Sequence, residues 1–153
     1  MGKNEKGLDG VIIRVSNLFG PPAKSQNAKK SFFQKIFEKS SQQECISLIQ
    51  DEINCFTYTV DVAKRLAEML KAGGMSGIYH FVNEDGISWL EAARRFYALL
   101  GKGICLKEIE SSSYERNALR PQNGVIVTKP LRSFDDALAD YVKGSGAGLF
   151  VFQ

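Results

Sequence analysis

The chain has 153 residues, of which 44% are hydrophobic, 10% aromatic and 24% charged, a balance that fits one globular domain with room for a core. That excludes a long disordered chain, a collagen-like repeat and a coiled coil, and no apolar run reaches the ~18 residues of a membrane-spanning helix. The net charge of +3 is uneven: residues 1–40 carry eight Lys/Arg against three Asp/Glu, a surplus of +5 that leaves −2 for the remainder.

In chain order, residues 1–9 (MGKNEKGLD) are polar and lack the apolar stretch of a secretory signal. Val11-Ile12-Ile13-Arg14-Val15 is a β-branched run, read as a strand buried on both faces. Gly20-Pro21-Pro22 stops it, and a polar loop follows to Lys30. Ser31 with Gln34 forms a capping box for a short helix whose apolar stripe is Phe33, Ile36 and Phe37. Cys45–Ile49 is read as a strand. Phe56-Thr57-Tyr58-Thr59 leads into a helix over Val60–Ala72, with Asp61 favoured in its first turn by the helix dipole. Val62, Leu66, Met69 and Leu70 are read as its core face, and Gly73-Gly74 ends it.

Gly77–Val82 is a further strand, closed by a turn at Asn83-Glu84-Asp85-Gly86. Ser88 and Glu91 suggest a second capping box, for a helix to Leu100 that packs through Trp89, Ala93, Phe96 and Leu100. Ile104–Ile109 reads as a strand, Ser111-Ser112-Ser113 opens a polar loop through Arg120-Pro121, and Val125–Val127 is briefly β-like. Ser133 and Asp136 cap a last helix to Lys143 with Phe134, Leu138 and Tyr141 on its core face. The tail, 144–153, is Gly-rich and is left unassigned. Alternation of strands and helices gives an α/β class.

The chemistry-bearing residues are sparse. Neither GxGxxG nor GxxxxGK[ST] occurs. The single histidine, His80, lies in a strand and reads as structural. Cys45, Cys55 and Cys105 are an odd number at wide spacing without a CxxC pair, read as buried thiols of a reducing compartment and not as a disulfide frame or zinc site. A cytoplasmic chain is expected. The basic N-terminal quarter reads as a solvated face, and nucleic-acid binding as the weaker use of it: Phe32, Phe33 and Phe37 fall at core spacing, not as a stacking platform.

Five segments together resemble extended short-chain dehydrogenase/reductases of the dTDP-4-dehydrorhamnose reductase type. They are VIIRVSNLFGP at Val11–Pro21, FTYTVDVA at Phe56–Ala63, GIYH at Gly77–His80 with Ser88-Trp89 and Ala92-Ala93 behind it, RPQN at Arg120–Asn123, and SFDDAL at Ser133–Leu138. The likeness covers the C-terminal half of that family, over residues 10–143. The glycine fingerprint of the nucleotide-binding unit and the YxxxK catalytic pair do not occur in these 153 residues. Asn17 stands where the rhamnose enzymes carry tryptophan, Phe56 replaces the proline of PTY, and Gly124 the serine of RPxNS.

The resemblance implies partial Rossmann-type sheet strands plus a small α/β substrate-binding domain. It implies a nucleotide sugar, dTDP- or UDP-linked, as ligand, with Asn17, Arg120, Asn123 and Tyr58 on the substrate and Ser16 near the cofactor. NADP or NAD belongs to the complete family enzyme, and this chain alone is expected neither to bind it nor to catalyse the reduction. Strands that would end a larger sheet imply self-association or pairing with an N-terminal half, as in a truncated or split enzyme. The alternative is a non-catalytic regulatory module of the same fold, like the regulatory subunit of methionine adenosyltransferase.

Overall fold

A computed structural model describes residues 10–22, 25, 27–73, 76–113 and 129–144. The first strand, β1 (Val11–Val15), pairs in parallel with β6 (Gly77–Phe81), in register from Val11↔Gly77 to Val15↔Phe81. Parallel pairing demands a long crossover, and helices α1 (Phe32–Ser40) and α2 (Thr59–Ala72) lie within it. The continuous apolar run predicts a strand covered on both faces. The structure corrects that: register partners Ile12 and Ile78 are 49% and 51% exposed, and Val15 is open as well.

Helix α2 departs from expectation in the same way. Its stripe is at the helical spacing, yet Val62, Leu66 and Met69 are only half-buried and Leu70 is exposed. The one fully buried residue on this helix is a carboxylate, Asp61. Periodicity identifies the apolar face of a helix but does not supply a surface to cover it.

The second region closes properly. Strand β3 (Cys45–Ile49) pairs in parallel with β9 (Cys105–Ile109), and α1, α3 (Trp89–Leu99) and α4 (Phe134–Gly144) pack with them around one core. The capping box at Ser31 is complete: its hydroxyl accepts from Gln34 N, and Gln34 Oε1 accepts from Ser31 N at 2.8 Å. At Ser88 only half of the expected box forms: Oγ accepts from Glu91 N at 3.2 Å, while the Glu91 carboxylate turns to Arg95 at 3.0 Å. Ser133 Oγ accepts from Asp136 N at 3.2 Å. The stripes predicted for α1 and α4 are buried as expected, with Phe33, Phe134 and Leu138 at 0% exposure. Phe33 sits at the centre, its ring 5.2 Å from Phe19, 5.6 Å from Phe56 and 5.1 Å from Phe96. Burying one such side chain contributes about 1.5–3 kcal/mol.

Cys45 and Cys105 face each other at the first register pair of β3–β9 and are joined as a disulfide. This overturns their reading as separate buried thiols: Cys45 is half-buried, Cys105 exposed, and Cys55 is a free, half-buried thiol. Wide spacing in sequence carried no sign of a pairing that parallel register creates.

Three short pairs join the regions. Strand β2 (Leu18–Phe19) runs parallel to β5 (Thr57–Tyr58), β4 (Ile53–Asn54) antiparallel to β8 (Ile87–Ser88), and β7 (Asn83–Glu84) parallel to β10 (Leu131–Ser133). Asn83 and Glu84 are therefore strand residues, and the expected four-residue turn contracts to Asp85, at φ +74, and Gly86. Gly20 marks a close approach, since a Cβ there would fall on Thr59 Oγ1. Ser111–Ser113 form a 3₁₀ turn in place of open loop. The β-like Val125–Val127 and the tail from 145 lie outside the described residues.

Candidate functional site

Strands β1 and β6 end side by side at Val15 and Phe81, and the residues that follow are largely polar. Ligands of parallel sheets meet this C-terminal edge, where the connecting loops gather. Thr57, fully buried, ties the two strand ends together: its Oγ1 accepts from Ser16 N at 3.2 Å and donates to Phe81 O at 3.1 Å. Thr57 N donates in turn to Asn17 O at 3.3 Å.

Asn17 turns the chain with φ +23, a region asparagine enters more readily than other non-glycine residues. Its Nδ2 donates to Cys55 O at 3.0 Å and meets Asn54 Oδ1 at 3.5 Å. The side chain therefore pins the exit of β1 to the segment between β4 and β5. Burial pushes the neighbouring Cys55 thiol above its ordinary value.

A second hub lies behind this edge. Asn83, 2% exposed, accepts from Tyr58 N at 2.7 Å and donates to Asp61 Oδ2 at 2.9 Å and Arg132 O at 3.0 Å. Arg132 Nε donates to both Asp61 oxygens, at 3.1 and 3.0 Å, and Nη1 donates to Asp140. Its guanidinium stands 5.6 Å from the Tyr58 ring centroid. Burial pulls the Arg132 pKa down, but hydrogen bonds to Asp61 and Asp140 outweigh it and the net shift is upward. The same hydrogen bond and charge hold Asp140 below the usual carboxylate range, while burial, then the charge of Asp140, raises the Tyr58 phenol.

Of the residues predicted for a site, Ser16, Asn17 and Tyr58 share this junction through Thr57 and Asn83. Tyr58 belongs to the core wall, 5% exposed and stacked on Phe19 with centroids 5.2 Å apart. Arg120 and Asn123 lie outside the described residues. His80 is half-buried in β6 opposite Arg14. Sequence reasoning missed Thr57, Asn83 and Arg132 as organising residues. The available signal was polar residues, Thr57 at a helix entry and Asn83 after an apolar strand. The Arg132–Asp61 contact bridges 71 positions, beyond any local pattern.

Chemically the edge offers hydrogen-bonding groups. Among the described residues there is no cluster of three metal-ligating side chains. No described helix is long and apolar enough to cross a membrane.

Comparison with known proteins places this geometry. The chain is 25% identical over 119 residues to dTDP-4-keto-6-deoxy-D-glucose reductase of Streptomyces niveus, covering 77% of this chain and 39% of that protein. It is 27% identical over 122 residues to dTDP-4-dehydrorhamnose reductase of Streptomyces griseus, covering 76% and 38%. The chain thus spans about two-fifths of the length of these relatives. In fold it is similar to the Bacillus anthracis dTDP-4-dehydrorhamnose reductase solved with NADP, at TM-score 0.75, 19% identity, and coverage of 88% of this chain and 48% of that one. The Clostridium acetobutylicum orthologue aligns at TM-score 0.73 with 19% identity, covering 87% and 48%. The partial Rossmann-type α/β architecture is shared with both. A match to the family model described as the RmlD substrate binding domain spans residues 4–143, and the chain belongs to that family.

Proposed function

We propose that this chain is the nucleotide-sugar-binding part of an enzyme resembling dTDP-4-dehydrorhamnose reductase. The observation that carries the reading is the junction of Ser16, Asn17 and Thr57 at the C-terminal ends of two parallel strands, in a chain of the substrate-binding family. Asn17 faces the sugar nucleotide from the exit of β1, with Ser16 on the cofactor side. The Arg120 guanidinium takes the diphosphate through its fork of donors, and Asn123, three residues on in sequence, adds a contact. Tyr58 shapes this wall from within the core.

In the complete enzyme a reduced nicotinamide supplies the hydride to a 4-keto sugar. The tyrosine–lysine pair that would deliver the proton and the glycine fingerprint that would hold the dinucleotide do not occur in these 153 residues. This chain therefore contributes binding, and its own residues carry no reduction step. The open β1–β6 pair and the α2 stripe are surfaces for a nucleotide-binding half, with self-association as their use when that half is missing.

A thermal-shift titration with dTDP, dTDP-rhamnose, UDP-glucose and NADPH tests the reading. A ligand at about a hundred times its Kd stabilises the fold by about 2.7 kcal/mol, a rise of about 5–10 °C for a chain this size. A dTDP-sugar raises the melting temperature, Asn17→Ala and Arg120→Ala each weaken the response, and NADPH alone gives none. No response to any nucleotide sugar at millimolar concentration overturns it.

A further inference from the structure

The disulfide Cys45–Cys105 closes the entry end of the β3–β9 pair and spans 60 positions of chain. Much of the chain leading into it is open. Ser41–Glu44, which lead into β3, are exposed, as are Gly101 and Gly103 before β9 and Cys105 itself. The apolar neighbours Ile46 and Leu106 alternate to the opposite, core-facing side, Ile46 at 2% exposure. The sulfur bridge thus lies on the solvent face, where a reductant reaches it without unfolding the core.

The far end of the same pair is held by other means. Gln50 N donates to Ile109 O at 3.1 Å, and Ser111 donates to Asp51 from N at 2.8 Å and from Oγ at 2.6 Å. Arg94 also pairs with Glu108 at 2.6 Å, fastening β9 to α3. The covalent link is therefore the separate closure at one end of a sheet that hydrogen bonds already register at the other.

We propose that Cys45–Cys105 is a redox-reversible latch, opened in the folded protein by a dithiol reductant. A thiolate of the reductant attacks the sulfur of Cys105, an exposed residue, forming a mixed disulfide and releasing Cys45 as a thiolate that takes up a proton. The second reductant thiol then displaces Cys105, leaving two protein thiols and one oxidised reductant, a transfer of two electrons. Opening frees the entry ends of β3 and β9 and releases the constraint on residues 45–105, the stretch that carries Thr57, Tyr58, Asp61 and Asn83. The core and the far end of the pair stay in place.

The test uses the full chain, with thiols counted in native buffer by a chromogenic thiol reagent. After treatment with glutathione disulfide, no more than one thiol, that of Cys55, reacts. After dithiothreitol two more react, and a second exposure to glutathione disulfide restores the first count. The melting temperature falls by about 5–15 °C on reduction. Cys45→Ser/Cys105→Ser melts at the lower temperature with or without reductant, and Cys55→Ser keeps the full response. Amide exchange at Ile46 and Leu106 speeds up more than at Ile49 and Ile109. Three reactive thiols after glutathione disulfide overturn the proposal, as do equal melting temperatures in the two states. Reduction no faster than global unfolding also overturns it, since the bond would then be a sealed staple. Should the double serine variant not fold, the thiol count and reduction rate of the unaltered chain decide alone.

Discussion

Two parallel strand pairs in this molecule share a design and differ in what covers them. In β3–β9 the inward residues Ile46 and Leu48 are 2% and 9% exposed beneath α1 and α3. In β1–β6 the register partners Ile12 and Ile78 stand about half open, and the stripe of α2 ends in an exposed Leu70. Both pairs come from β-branched or apolar runs, so strand formation does not separate them. What separates them is whether an amphipathic helix answers the strand with its own apolar face. The aromatic stripes of α1, α3 and α4 converge on one cluster, while α2 buries a carboxylate instead.

That contrast can be broken by substitution. The largest effect belongs to Phe33→Ala, which empties the centre of the ring cluster and costs about 3–5 kcal/mol, read from urea unfolding. Asp61→Ala removes the carboxylate under Arg132, leaving that partly buried cation with Asp140 alone and the Asn83 amide with only Arg132 O. Because Arg132 is one-third exposed, solvent moderates the loss to about 2–3 kcal/mol, measured in the same way. Ser31→Ala deletes the complete capping box of α1 and costs about 1 kcal/mol, visible as a lower melting temperature.

At the small end, Ile12→Thr with Ile78→Thr changes stability by no more than about 0.5 kcal/mol while reducing self-association in light scattering. A core-sized loss there would mean that the pair is covered, and the contrast between the regions would fail. Asp140→Asn sharpens the picture through pH. A carboxyl held below its ordinary range in the folded state adds stability above that range, and the contribution is lost as pH falls through the depressed value. The variant therefore lowers the melting temperature at neutral pH and narrows its fall below about pH 4, checked by melting both proteins across acidic buffers.

How far the sequence spoke follows the same division. Caps at Ser31, Ser88 and Ser133 and the aromatic stripes of α1 and α4 are local signals, and each lies where the pattern put it. The stripe of α2 and the run at Val11–Val15 were equally clear as patterns, but a pattern states an affinity for cover and not its presence. Cys45 and Cys105 gave no local sign, because their meeting depends on the register of two distant strands. At the candidate site, Ser16 and Asn17 were legible as polar residues closing an apolar strand. Thr57, Asn83 and Arg132 were not, since each acts through bonds across 22 or more positions.

The connectivity of the two parallel pairs has a kinetic consequence. Val11 meets Gly77, and Cys45 meets Cys105, so the two closing loops overlap in sequence and neither nests inside the other. Each must pay for a separation of 60 residues or more before its ladder forms, which places this chain among slow, topology-limited folders. Any backbone cut between residues 45 and 77 severs both loops at once. A nick in that stretch puts the partners of both sheets on different pieces, joined covalently only by the Cys45–Cys105 disulfide, whereas cleavage beyond Ile109 leaves both ladders on one continuous piece.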